Sequence, residues 1–229
     1  MKITANMATF PTRLDTCLQV VDSLYDQVDE IRIYLNKYST VPKELLDKKI
    51  KTVLGKDLQS SGKLFWAMRR GEYYFCVDDD ILYPADYVRY TLDKLDQYSN
   101  DVIVSHHGRL FTPNKKVKNY FLDYREYYHF KEKKVGDTEV EVIGNGVSCW
   151  NTDKIRIDLT KFKYYFMDDI YVSWQAHQQG KKRIVIEHGE NYLKPLPQDE
   201  KSTLYSKYRN RSNVQTQIFN SINWWKAIR

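Results

Sequence analysis

The chain has 229 residues, 42% hydrophobic and 29% charged, which excludes a mainly disordered chain and is ample for a buried core. Nine glycines and six prolines exclude a collagenous or low-complexity chain, and no stretch approaches the roughly 20 apolar residues of a membrane span. A net charge of +6 favours anionic partners: nucleotide diphosphates, nucleic acid or an anionic membrane surface.

The N-terminus, MKITANMATFPTR, lacks an apolar signal-peptide core, so a cytoplasmic location is expected, or a compartment reached without a classical signal. Residues 1–8 and 30–35 read as strands. Between them Leu14, Leu18, Val21 and Leu24 recur at helical spacing over 13–27. A short strand at 50–54, a helix at 62–71 and an apolar strand at 73–77 follow. Pro84 marks the start of a helix over 84–97, and 101–105 is again a strand. Strands alternating with helices predict βαβ units and a layered α/β fold with a mostly parallel sheet.

The second half differs. Residues 106–138 are rich in Lys, Tyr, His and Phe without a long period, an excursion of short strands and loops. Residues 139–150 read as strand, glycine break and strand; 168–179 as a helix; 182–187 as a buried strand; 209–228 as a terminal helix. In that helix Trp224 and Trp225 pack on the core or touch a membrane surface. Cys17, Cys76 and Cys149 are too few and scattered for a disulfide framework or a cysteine zinc site, and are expected to be reduced and structural.

The most informative segment ends the strand at 73–77 with three consecutive carboxylates, Asp78, Asp79 and Asp80. Acids held together repel unless a hard divalent cation, a basic side chain or water separates them. The carboxyl edge of a parallel sheet is where open α/β folds bind ligands, so a metal facing substrate phosphates is the functional expectation; a solvated loop is the alternative. A second pair, Asp168 and Asp169, opens the helix at 168–179. The helix dipole favours acids there, and a carboxylate beside a pocket can also serve as a general base. Lys63, in Ser-Ser-Gly-Lys at a helix start, is either a donor-phosphate ligand or a solvated helix residue. Arg13 and Asp57 are candidates near a nucleotide, and Lys201 opens a segment to Lys207 that reads as a lid. His188 follows the strand at 182–187. Histidine is a common metal ligand, although most histidines are not ligands.

Together these segments resemble glycosyltransferases of the GT-A fold, over most of residues 1–195. The opening Thr9-Phe10-Pro11-Thr12-Arg13 and the helix after it look like the family's first strand, loop and helix, placing Thr9 and Arg13 by the nucleotide. Asp78 to Asp80 look like its DxD motif, which implies Mn²⁺ or Mg²⁺ on Asp78 and Asp80, with Asp79 beside the donor. The register of three aspartates is ambiguous. Ile143-Gly144-Asn145-Gly146 resembles its glycine-rich segment, so Gly144 and Gly146 are expected at the donor. Asp168-Asp169-Ile170 matches the acidic pair of inverting members, whose second acid, here Asp169, is the base. His188 matches a later metal-ligating histidine.

The resemblance implies a single domain over 1–229: a nucleotide-sugar half to 105, an acceptor and catalytic half to 195, then a lid and helix. It looks most like small stand-alone bacterial or viral members, though a domain of a larger glycosyltransferase is also compatible. The implied partners are a nucleotide-sugar donor, with UDP as the expected nucleotide, and a glycan or glycoconjugate acceptor, as in polysaccharide biosynthesis. Nucleic acid is not expected, because the basic residues are not gathered into a stripe with stacking aromatics. The rival readings are a metal-dependent nuclease, a non-catalytic nucleotide-sugar module and a nucleotidyltransferase; the last would want glycines in MATFPTR.

Overall fold

The computed structural model describes residues 1–197 and 213–226. The chain opens with β1 (Lys2–Thr9), a 3-10 turn at Pro11–Arg13 and α1 (Leu14–Leu24), then β2 (Glu30–Asn36), β3 (Ile50–Gly55) and β4 (Glu72–Val77). A short β5 (Ile81–Leu82), α2 (Tyr87–Gln97) and β6 (Val102–Ser105) follow. The second half holds β7 (Gly108–Leu110), β8 (Glu126–Tyr128), β9 (Thr138–Glu139), β10 (Val142–Ile143) and β11 (Val147–Asn151). It ends with α3 (Asp168–Gln178), β12 (Lys182–Val185), β13 (Lys194–Pro195) and α4 (Asn213–Ser221).

One large sheet organises the molecule, in the order β3-β2-β1-β4-β11-β6-β12-β9. The strands from β3 to β4 are parallel, as are β6 and β12. β11 runs antiparallel between β4 and β6, so the sheet is mixed rather than mostly parallel. This reversal matters for the site. The start of β11 lies beside the end of β4, with Val147 opposite Val77. The Gly144–Gly146 segment therefore meets the aspartates that follow β4, and the Asp78 N–H donates to the Gly146 carbonyl at 3.2 Å. A smaller antiparallel sheet, β10-β7-β8, stands beside it, and β13 pairs with β5.

Strand alternation divides the core in two. Ala5, Met7, Phe75, Val77, Val102 and Val104 pack with α1 and α2 on one face; Tyr74, Cys76, Ile103 and Trp150 pack with α3 and α4 on the other. Both faces being covered, the central strands are buried on both sides, and their few polar residues, such as Thr4, Asn6 and Ser148, are buried as well. Arg32, 1% exposed, crosses the β1 edge to Glu72 through two hydrogen bonds at 2.7 and 2.8 Å, which ties β2 to β4.

Several expectations need correction. The helix expected over 62–71 is a 3-10 segment, Gln59–Leu64, followed by turns. The Ser61 N–H and hydroxyl are both spent on the Tyr165 carbonyl, and Gly62 sits so close to Tyr34 that a Cβ there would lie 2.6 Å from its ring. Tertiary contact thus overrides the local helical pattern. Pro84 lies in a turn ahead of α2, its carbonyl accepting the Tyr87 N–H at 2.9 Å. Trp224 is buried against Phe219, and Trp225 donates to Glu141 at 3.3 Å, so the Trp pair packs on the core. The three cysteines are free and buried. Among the described residues no helix is long and apolar enough to cross a membrane.

Candidate functional site

A cavity of about 920 Å³ opens at the carboxyl ends of β1 and β4. Both acid clusters line it, together with Arg13, Lys63, the Gly144–Gly146 segment and an aromatic wall from the second half.

The first cluster is partly offset from within the chain: two cations meet its three carboxylates. Arg13 leaves the turn after β1 and reaches Asp79 Oδ1 at 2.6 Å and Asp80 Oδ2 at 3.2 Å. Burial works against the Arg13 charge, but the Asp79, Asp80 and Asp78 carboxylates outweigh it and raise its pKa. Lys63, 3% exposed, forms an ion pair with Asp78, and its Nζ lies 3.4 Å from Asp168 Oδ2. It is therefore not a solvated helix residue: it lines the cavity as the buried cation joining the two acid clusters. Desolvation alone would lower its pKa, yet Asp78 and Asp168 hold it well above the usual lysine value. The Tyr83 hydroxyl donates to the Gly146 carbonyl at 2.6 Å and accepts from the Asp78 N–H at 2.9 Å. The fit is close: a Cβ on Gly146 would lie 1.8 Å from Asp78 Oδ2.

The second cluster is held differently. Asp168 accepts from Ser60 Oγ at 2.5 Å and from Asn145 Nδ2 at 3.1 Å. Asp169 accepts from the Asn145 backbone N–H at 2.8 Å and forms no ion pair among the described residues. Burial and the neighbouring Asp168 charge push its pKa up to about 7, against the pull of the Asn145 N–H, Lys63 and Arg109. Neither acid caps the helix through its side chain, because the N-cap position belongs to Met167. Both acids line the cavity.

The opposite wall comes from residues 107–130: His107, Arg109, Tyr120, Phe121, Tyr127, His129 and Phe130. Composition signalled an aromatic, basic excursion here, but not which residues would turn inward.

Of the other expected site residues, Asp57 lines the cavity with an ion pair to Lys37 at 2.9 Å, and Gly144 lines it as well. Thr9 is fully buried and is not a lining residue. His188 is also buried and off the lining; its Nδ1 faces the Ile186 carbonyl at 2.8 Å, and its ring packs on His106. Past β12 the chain pairs His188 with Lys134 in an isolated antiparallel bridge, and His188 is not among the residues that line the cavity with the aspartates. Lys201 and the lid expected to Lys207 lie outside the described residues, although the chain reaches the site just before them: the Leu196 N–H donates to the Asp80 carbonyl at 2.7 Å. Sequence reading missed Ser60, Asn145 and Gln215. Asn145 had a signal, since it stands between the two glycines already singled out.

The donor set suits a hard cation in kind but is short in number. Asp78 and Asp80 face the cavity, and Asp79 Oδ2 is buried without a hydrogen-bond partner among the described residues. Mg²⁺-type ions are commonly held by one or two carboxylates completed by substrate phosphates and water, so Asp78 and Asp80 fit such an ion together with a phosphate ligand. No group of three or more His, Cys, Asp or Glu side chains among the described residues is arranged to hold a metal ion alone.

No protein-family model and no curated protein matches the chain.

Proposed function

We propose that the chain is a metal-dependent inverting glycosyltransferase of the GT-A type. In this reading it moves a sugar from a nucleoside diphosphate donor, expected to be a UDP-sugar, to a hydroxyl of a glycan or glycoconjugate. One observation carries the reading: two acid clusters from distant parts of the chain line one cavity at the sheet's carboxyl edge, one paired with bases and the other holding a carboxyl with a pKa of about 7.

A divalent cation, when bound, offsets the charge of the diphosphate leaving group. Asp78 and Asp80 would hold it, and Arg13 and Lys63 add positive charge around the phosphates. Asp169 accepts the proton of the acceptor hydroxyl as that oxygen attacks the anomeric carbon from the face opposite the leaving group. A pKa near 7 suits a base working at neutral pH. The Asn145 N–H fixes the Asp169 carboxylate, and Ser60, Asn145 and Lys63 position Asp168.

A panel of nucleotide sugars tested for Mn²⁺-dependent hydrolysis is the deciding experiment. Hydrolysis of one donor, lost in Asp80→Ala with the fold retained, supports the reading. Absence of both binding and hydrolysis across the panel overturns it. With an acceptor in hand, NMR of the new linkage should give the anomeric configuration opposite to the donor's.

A further inference from the structure

Arg109 is a buried cation of a different kind from Arg13 and Lys63. Its side chain comes from β7, is 6% exposed, and lines the cavity. Arg13, Arg32 and Lys63 each meet carboxylates, whereas Arg109 makes no ion pair among the described residues. Its Nε has no hydrogen-bond partner there either. Three aromatic rings surround the guanidinium, with centroids at 4.7 Å for Tyr127, 5.2 Å for Tyr120 and 5.6 Å for Phe121. Beside them, His107 Nδ1 is likewise buried without a partner among the described residues.

Ring faces hold a guanidinium in place, but they do not satisfy its in-plane donors. A buried charge without a counter-ion is costly, and a planar fork of N–H donors matches a carboxylate or phosphate. The arrangement is preformed for an oxyanion that the described residues do not supply. Its location says which oxyanion. Arg109 on β7 pairs with Val142 of β10, which leads through Gly144 into Asn145, whose N–H holds Asp169, whereas Asp78 to Asp80 are served by Arg13 and Lys63. A group on Arg109 therefore sits next to the base rather than next to the DDD cluster.

We propose that Arg109, within the Tyr120–Phe121–Tyr127 cage, binds an anionic substituent of the acceptor, a carboxylate or a phosphate, and so selects acidic acceptors. The word acceptor rests on the glycosyltransferase reading; the oxyanion site does not.

The test compares matched probes by calorimetry. One pair is p-nitrophenyl glucuronide against p-nitrophenyl glucoside; the other is glucose 6-phosphate against glucose. At least one charged probe should bind the wild-type chain roughly tenfold or more tightly than its neutral twin, the scale of a charge-assisted hydrogen-bond pair. The arm that responds tells carboxylate from phosphate. Arg109→Gln should bring the ratio close to one, and Arg109→Lys, which keeps the charge but loses the fork, should lower it. Equal binding of charged and neutral twins by the wild type overturns the proposal, as does a preference that survives both substitutions. A parallel UDP titration separates the two readings. Wild-type protein that ignores nucleotides fails the glycosyltransferase reading and leaves the twin comparison readable. If Arg109→Gln weakens UDP by the same factor as the charged probe, Arg109 belongs to the donor phosphates and the acceptor proposal falls.

Discussion

The two acid clusters share one cavity and differ in how their charge is held. Asp78, Asp79 and Asp80 meet two cations, Arg13 and Lys63, so much of their charge is offset before any ligand arrives, although burial still raises the Asp79 pKa. Asp169 is buried beside a like-charged neighbour, and these outweigh the Asn145 N–H that it accepts from, so its proton affinity rises. Paired acids are suited to binding, because a ligand exchanges one set of charges for another. An underpaired, buried acid is suited to moving a proton, because both of its forms are accessible near neutral pH. Lys63 touches both clusters and is where the difference is set.

The comparison predicts its largest effect at Asp169. Asp169→Asn should cut turnover by roughly 10²–10⁴ while nucleotide affinity stays near wild type, measured by steady-state kinetics beside a UDP titration. Asp80→Ala should do the reverse and lose metal–nucleotide affinity. If both variants lose only binding, the division of roles is wrong.

Lys63→Met removes the shared cation. Breaking a buried pair by deleting one partner costs about 3–5 kcal/mol; the lower end is expected, because the Asp78 side chain is 38% exposed and water screens it. Urea denaturation measures the loss. A cost below about 1 kcal/mol would mean that the pair is no more than a surface contact.

Gly146→Ala perturbs the first cluster alone. With a Cβ placed 1.8 Å from Asp78 Oδ2, the Asp78 carboxylate must move. Overpacking of this kind costs about 1–3 kcal/mol, and metal–nucleotide affinity should fall with it. The pKa of Asp169, followed by carboxyl NMR, should change little.

The smallest effect is a pH dependence with a definite sign. The folded-state pKa of Asp169 is raised to about 7, so the folded chain binds this proton more tightly than the unfolded chain does. The associated stability is present below the unfolded value of about 3.9 and is lost as pH rises through about 7. Asp169→Asn should therefore stabilise the fold by on the order of 1 kcal/mol at pH 8, about 2–4 °C in Tm, and by less at pH 5. Activity should run the other way, with kcat/KM falling as pH drops below about 7. Together these would mark the acid as kept for chemistry at a cost in stability.

Much of the first half was legible because its signals are local. Apolar runs such as 73–77 have the length and composition of buried strands, and Asp78 to Asp80 follow one directly, so their place at the sheet edge was readable without coordinates. Asp168 and Asp169 were legible as the opening of α3 for the same reason. The segment 59–64 was not, since its hydrogen bonds go to Tyr165, far along the chain, and no local pattern records that.

What the sequence determined by itself is most of the central strands and main helices and the two acid clusters, because strand and helix periods and runs of like charge are properties of neighbouring residues. Which charges meet was decided only by the tertiary structure. The antiparallel insertion of β11 brings Asn145 and Gly146 to Asp78 and Asp169. The 3-10 segment buries Lys63 between the clusters, and the small second sheet turns Arg109 inward while His188 stays outside the cavity lining. Electrostatic energy depends on distance in space and on exclusion of water, and residues far apart along the chain, such as Lys63 and Asp168, carry no trace of either in their order.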